Sequence, residues 1–363
     1  MRSFLALIAL AGAAAQQDCA ALPSSAFTPI TLSNSRGLSL TFLPFGGTAQ
    51  NLIVPRARGA APIDILLGFD DPTAYCTGGP TAQHPYFGAL IGRVANRIAR
   101  CAFSLGGTRY ALPCNEHQAA TGLNDTLHGG PTGYDRAVWT VAAKNASSAT
   151  LELLSPAGDM GFPSSLRLRV TYSVAEPGAG APPSALGAWD IAYEALNTGD
   201  LPSPVAPTNH AYFMLSGFTG GEETVLAHTL RMANATRYQQ VDAGLIPTGA
   251  LLPVAAQPWM SFVQAKAVGA DFPLPSGAAG YDNAWVLEGG AAGRAFAPAA
   301  ELEAPASGLR MVTWTDAPSL QVYTGNFLSA TGPTAVAKKA SQRAPGASET
   351  YVQHSAITFE AQR

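Results

Sequence analysis

The stretch Leu166-Arg167-Leu168-Arg169-Val170-Thr171-Tyr172-Ser173 alternates apolar and polar side chains without a break. A period of two is the period of a pleated strand, whose successive side chains point to opposite faces, so this stretch predicts a strand with one face in a core and one in water. The pattern recurs: Leu38, Leu40 and Phe42 share a face of a second segment, and Trp189, Ile191 and Tyr193 share a face of a third. Gly46-Gly47, Gly78-Gly79-Pro80, Gly129-Gly130-Pro131 and Gly220-Gly221 punctuate the chain, and 37 Gly and 28 Pro in 363 residues suit many short strands joined by tight turns. No strand-helix-strand rhythm, heptad or internal repeat is present. The expectation is an all-β fold, a large antiparallel β-sandwich with few short helices. Residues 175–188 and 273–280 lack periodicity and read as surface loops within one domain rather than as linkers.

Charge excludes some partners. Net charge is −3 and only 12% of residues are charged, so there is no basic footprint for nucleic acid or for an anionic membrane surface. A small neutral molecule is the expected partner. The N-terminal run Met1-Arg2-Ser3-Phe4-Leu5-Ala6-Leu7-Ile8 through Ala13-Ala14-Ala15 has a basic start, an apolar middle and small residues at its end. It reads as a secretory signal peptide over 1–15, too short to span a bilayer, which leaves 16–363 as the mature domain in a secreted protein. Cys19, Cys76, Cys101 and Cys114 make an even count, for which an oxidising compartment favours two disulfides. Cys101 and Cys114 bracket a hairpin-like stretch with Gly106-Gly107 at its turn, which favours pairing them. Asn124, Asn145 and Asn234 head Asn-x-Ser/Thr sequons, acceptors for glycans in a eukaryotic host.

Two segments carry chemistry. In Ser355-Ala356-Ile357-Thr358-Phe359-Glu360-Ala361-Gln362 the alternation sets a lone carboxylate, Glu360, on the face opposite Ile357 and Phe359. In Pro207-Thr208-Asn209-His210-Ala211-Tyr212-Phe213 an imidazole sits among aromatic and backbone-restricting neighbours. A carboxylate and an imidazole together can move two protons, one as base and one as acid. In Ser319-Leu320-Gln321-Val322-Tyr323-Thr324, Leu320 and Val322 are expected in the core, leaving Gln321 and Tyr323 to a groove. No two histidines are spaced to share a helix face, which disfavours a histidine metal site, and neither a Gly-x-Ser-x-Gly elbow nor a phosphate loop occurs. His84, His117, His228 and His354 are read as structural or exposed.

Further segments complete an ordered set: His84-Pro85-Tyr86-Phe87-Gly88 with Gly92-Arg93-Val94-Ala95-Asn96-Arg97-Ile98, then Leu127-His128-Gly129-Gly130, Thr208 to Phe213, Gly280-Tyr281-Asp282, Gln321 to Phe327, and Phe359-Glu360-Ala361-Gln362. From about Gly46 to Gln362 this order resembles the aldose 1-epimerases, also called galactose mutarotases. The resemblance implies that family's supersandwich fold and the interconversion of α- and β-anomers of free hexoses such as glucose and galactose. It implies His210 as the acid that protonates the pyranose ring oxygen and Glu360 as the base at the anomeric hydroxyl. Arg97, His128 and Asp282 match positions that hold sugar hydroxyls or the ring oxygen. Asn96 and Gln321 suit the same task as donors and acceptors, with Tyr212 or Trp285 as stacking surfaces, Trp285 suiting a place in the core equally well, and proton transfer of this kind needs no cofactor.

Two alternatives stand beside it: a non-catalytic carbohydrate-binding protein on the same scaffold, and an epimerase of hexose 6-phosphates, for which Arg97, Arg93 and Arg100 would have to form a basic cluster. Met214 stands where the family often has Asn, and Asn283 where His is common. The chain stops three residues after Glu360, whereas the family continues through a Pro-containing loop into a closing strand. That leaves a fold that dispenses with the strand or a truncated product, and without it Glu360 would be held loosely.

Overall fold

The computed structural model describes residues 18–56, 60–78, 85–288, 295–332 and 335–363. The signal segment 1–15, the Gly79-Pro80 turn and His84 lie outside the described residues. Strands dominate. Among the described residues the one α-helix is the single turn Ala74–Thr77, and the other helical pieces are short 3-10 turns.

The alternating stretch that predicts a strand is Leu166–Ala175: Leu166, Leu168, Val170, Tyr172 and Val174 are buried, and Arg167 and Arg169 face water. Burying such side chains contributes roughly 1.5–3 kcal/mol each, and Tyr172 adds a hydroxyl that donates to the Gly47 carbonyl at 2.7 Å. Leu38, Leu40 and Phe42 are buried as expected. The third segment differs. Ala188–Asn197 is the edge of the four-stranded sheet that also contains Thr140–Lys144, Ser148–Ser155 and Leu166–Ala175. Among the described residues no strand lies beyond it, and Trp189 and Ile191 are half-buried while Tyr193 is exposed. Between strands that reach in to Ala175 and Ala188, residues 176–187 carry no strand, and neither do 273–280.

A six-stranded sheet carries the groove, in the order Tyr212–Phe213, Ile357–Gln362, Ser319–Tyr323, Asp282–Val286, Arg237–Val241, Pro247–Pro253. Its register is antiparallel: Gln321 stands opposite Glu360 and Ala284, Tyr323 opposite Thr358 and Asp282, and Thr358 opposite Tyr212. Cross-strand partners share a face. Glu360, Gln321, Tyr323, Asp282 and Tyr212 therefore line one side, while Leu320, Val322, Ile357, Phe359 and Trp285 are buried on the other. Trp285 is thus a core residue and no stacking surface for a ligand: it pairs with Leu320 on the core side, and its indole N–H donates to the Met260 carbonyl at 3.0 Å. Nor is Glu360 loose. Its strand lies inside the sheet between two neighbours, and the residue is 2% exposed.

Beside this sheet lies a smaller one, ordered Arg97–Ala99, Leu123–Leu127, Glu116–Gln118. The Cys101–Cys114 disulfide closes the hairpin between its two outer strands, and Cys19 joins Cys76. Met214 is fully buried in the core, so the departure from Asn is a packing change.

Candidate active site

His210 sits in the short break between Thr208–Asn209 and Tyr212–Phe213, and its backbone is pinned on both sides. Its N–H donates to the Ala89 carbonyl at 2.9 Å, its carbonyl accepts from Gly88 N–H at 3.0 Å, and the Asn209 amide donates to the Gly88 carbonyl at 2.8 Å. Gly88 makes this approach possible. It has φ +65°, and a Cβ there would lie 2.0 Å from the Ala49 carbonyl oxygen. The Tyr86-Phe87-Gly88 segment and the Asn209-His210 segment are therefore two halves of one support.

A second support carries His128. It follows the strand Leu123–Leu127 with φ 53°, its N–H donates to the Asn96 carbonyl at 3.0 Å, and its Nδ1 accepts from the Asn96 N–H at 3.1 Å. An amide N–H can only donate, so neutral His128 carries its proton on Nε2. Asn96 Oδ1 accepts from the Arg97 backbone N–H at 3.0 Å. The Arg97 guanidinium binds Glu116 through two bonds of 2.7 and 2.8 Å.

These supports meet the six-stranded sheet around a cavity of about 240 Å³. All seven residues expected at the site line it: Asn96, Arg97, His128, His210, Asp282, Gln321 and Glu360. His210 Nε2 stands 3.5 Å from Glu360 Oε1, Thr358 donates its hydroxyl to the same oxygen at 3.1 Å, and Gln321 donates to Asp282 Oδ1 at 2.6 Å. Rings continue along the wall: Tyr86 to His128 at 4.8 Å, His128 to His210 at 5.2 Å, His210 to Tyr212 at 5.0 Å, and Tyr323 to Phe327 at 6.0 Å. Phe327, at 68% exposure, is the open end of that wall.

Burial sets the protonation states. It pushes the Glu360 carboxyl up to about 7 and the Asp282 carboxyl up to about 6, because a buried carboxylate loses its hydration. It pushes His210 down to about 4 and His128 well below the usual imidazole range, the latter also repelled by charge on His210. Between the values of His210 and Glu360 the proton of the pair rests on the carboxyl, and His210 is neutral.

His128, His210 and Glu360 offer ligand atoms within 4.8 Å of one another, the spacing of a metal site. The donor chemistry does not fit one. His128 Nδ1 is engaged by an amide, and its Nε2 bears hydrogen where a metal would need a lone pair. The basic cluster required by a phosphosugar enzyme does not form either. Arg93 is 2% exposed and its guanidinium is taken by the Pro163, Ser164, Ser155 and Pro156 carbonyls and the Ser155 and Ser203 hydroxyls. Arg100 lines a different depression. Sequence reasoning missed Glu116, Tyr86 and Phe327. For Glu116 the available signal was a carboxylate two residues past Cys114, at the far end of the hairpin that the disulfide closes.

The family model described as Aldose 1-epimerase matches residues 29–363. A probable aldose 1-epimerase of Arthroderma benhamiae is 30% identical over 327 residues, covering 86% of this chain and 72% of that protein. The aldose 1-epimerase of Escherichia coli is 33% identical over 305 residues, covering 83% and 80%. Among solved structures, an aldose epimerase homologue from C. elegans superposes with a TM-score of 0.72 at 26% identity, covering 92% of this chain and 89% of that one.

Proposed function

We propose, from the premise that this chain belongs to the aldose 1-epimerase family, that it interconverts the α- and β-anomers of free hexoses such as glucose and galactose. The observation that carries the reading is the 3.5 Å approach of His210 Nε2 to Glu360 Oε1 inside a cavity walled by rings and hydroxyl-binding groups. One sugar at that point offers its ring oxygen to the imidazole and its anomeric hydroxyl to the carboxylate.

Glu360 takes the proton of the anomeric hydroxyl while His210 gives a proton to the ring oxygen. The bond between C1 and the ring oxygen breaks, C1 becomes an aldehyde, and the ring oxygen becomes a hydroxyl. After rotation about the bond from C1 to C2, the protonated Glu360 returns its proton to the aldehyde oxygen, and His210 recovers its own from the attacking hydroxyl. No net proton or electron is consumed. The resting pair carries the proton on Glu360, so an entering cyclic sugar requires its transfer across the 3.5 Å gap to His210, which a ring oxygen placed at Nε2 favours by accepting from the imidazolium. The His128 Nε2–H donor, Asn96, Arg97, Asp282 and Gln321 orient the ring through its hydroxyls, and Tyr212 and Phe327 offer apolar faces to its C–H surfaces.

Polarimetry of freshly dissolved α-D-glucose tests the function. The purified protein should speed the decay of rotation in proportion to its concentration. Sugar binding in a calorimeter with no change in that decay would select the carbohydrate-binding alternative instead.

The same proposal places the protein outside the cell after removal of residues 1–15, with glycans at the sequons. Two paired disulfides support an oxidising compartment, and Asn124, Asn145 and Asn234 are all exposed. Protein recovered from the medium of its host should begin at Gln16, and retention of the uncut chain inside the cell would contradict this.

A further inference from the structure

We propose that Glu116, held by the Cys101–Cys114 disulfide, is a positioning and specificity residue that aims Arg97 into the groove and cancels its charge, so that the site takes neutral aldoses and rejects anionic ones such as hexose phosphates. The inference rests on the reading of the groove as a sugar site, and its test is separable from that of turnover.

Arg97 and Glu116 lie on the two outer strands of the small sheet and do not pair with each other. Arg97 stands opposite Leu127 and Glu116 opposite Asp125, so both project on the same face of the middle strand, and the guanidinium reaches across it. Glu116 accepts from Nε and from one terminal amino group, which fixes the plane of the guanidinium. The other amino group donates only a long bond, of 3.4 Å, to Asn96 Oδ1 and keeps an N–H for a ligand hydroxyl. An arginine without such a partner spreads over many rotamers and loses that freedom on binding, which weakens affinity.

Glu116 itself depends on its tether. Cys101 lies four residues after Arg97 and Cys114 two residues before Glu116, so the disulfide joins the ends of the two outer strands that no backbone ladder connects. Asn115 then clamps the incoming strand to the middle one, donating to the Leu127 carbonyl at 3.0 Å and accepting from the Leu127 N–H at 2.7 Å. Thr126 donates to the Pro113 carbonyl at 2.9 Å.

The charge consequence follows from the groove's inventory. Among the described residues Arg97 is its one guanidinium, and it faces three carboxyl groups: Glu116, Asp282 and Glu360. With Glu116 in place no positive charge is left over for a phosphate.

The test is calorimetric and kinetic, on the full-length protein, with glucose and glucose 6-phosphate as probes. Glu116→Gln, which preserves shape, should weaken glucose binding about tenfold and raise the KM of mutarotation by the same factor, with kcat within about twofold. It should also tighten glucose 6-phosphate binding about tenfold. The Cys101→Ser/Cys114→Ser variant should weaken glucose binding in the same direction, and Cys19→Ser/Cys76→Ser should not. Unchanged affinities for both probes in Glu116→Gln would overturn the proposal even if the wild type turns over. Weakened glucose binding without any gain for the phosphate would remove the selectivity half. Should the double cysteine variant fail to fold, Glu116→Gln alone decides.

Discussion

Glu360 is almost fully buried, and that burial alone lifts its carboxyl to about 7, while the imidazole beside it falls to about 4. Between these values the pair carries one proton, which is the state the chemistry uses. Above the upper value the pair loses its proton and has no acid to offer the ring oxygen; below the lower value a second proton arrives and removes the base. The sign is therefore fixed on both sides: kcat/KM should be flat between about pH 4 and 7 and fall about tenfold per unit above it, the two limits belonging to the pair rather than to either residue. Stopped-flow polarimetry across that range checks this, and a rate that climbs steadily through pH 9 would contradict it. His210 was legible as a chemical residue from its neighbours, but its depressed pKa was not, because desolvation depends on Tyr86 and Tyr323 closing over it from distant segments, beside the adjacent Tyr212.

Elements explain why the motifs read as they do. The Leu127-His128-Gly129-Gly130 segment is a strand end followed by left-handed backbone: Gly129 has φ +88°, and a Cβ there would lie 1.9 Å from the Gly92 carbonyl oxygen. A Gly129→Ala substitution collides with backbone rather than with a movable side chain. It should destabilise the fold by about 4 kcal/mol or more, measured by urea unfolding, and a loss below about 1 kcal/mol would show that the turn gives way. Alternation made the faces of Leu166–Ala175, Ser319–Tyr323 and Ile357–Gln362 legible, since a period of two leaves no choice once one face is apolar. It held only in part for Ala188–Asn197, where Trp189 and Ile191 are half-buried but Tyr193 is exposed, and it left the place of Trp285 open. A strand's place in the sheet is set by pairing partners far away in the chain, so neither the exposed edge nor the face that Trp285 occupies could be read locally. Glu116 escaped for the same reason, its role being a diagonal contact across a third strand.

At the scale of the molecule, the site exists only where two sheets and the pinned His210 segment converge. Asn96, Arg97 and His128 come from the small sheet and its strand ends, His210 from a break in the chain near its middle, and Asp282, Gln321 and Glu360 from three adjacent strands of the large sheet. A buried Lys339 helps hold the segment leading to the last strand, its ammonium bound to Asp64 and to the Gln50 carbonyl at 2.8 Å. The β class and the groove-facing polar residues could be read from the chain; their convergence could be read only through the likeness of ordered motifs, because sheet order is a long-range property. The central claim is that Glu360 and His210 act together on one sugar. It is tested most directly by the mutarotation rate of α-D-glucose with Glu360→Gln, alongside a thermal melt showing that the fold is kept. The rate should fall by about a hundred- to ten-thousandfold, towards that of the solvent. A folded variant that turns over glucose as fast as the wild type would contradict the account.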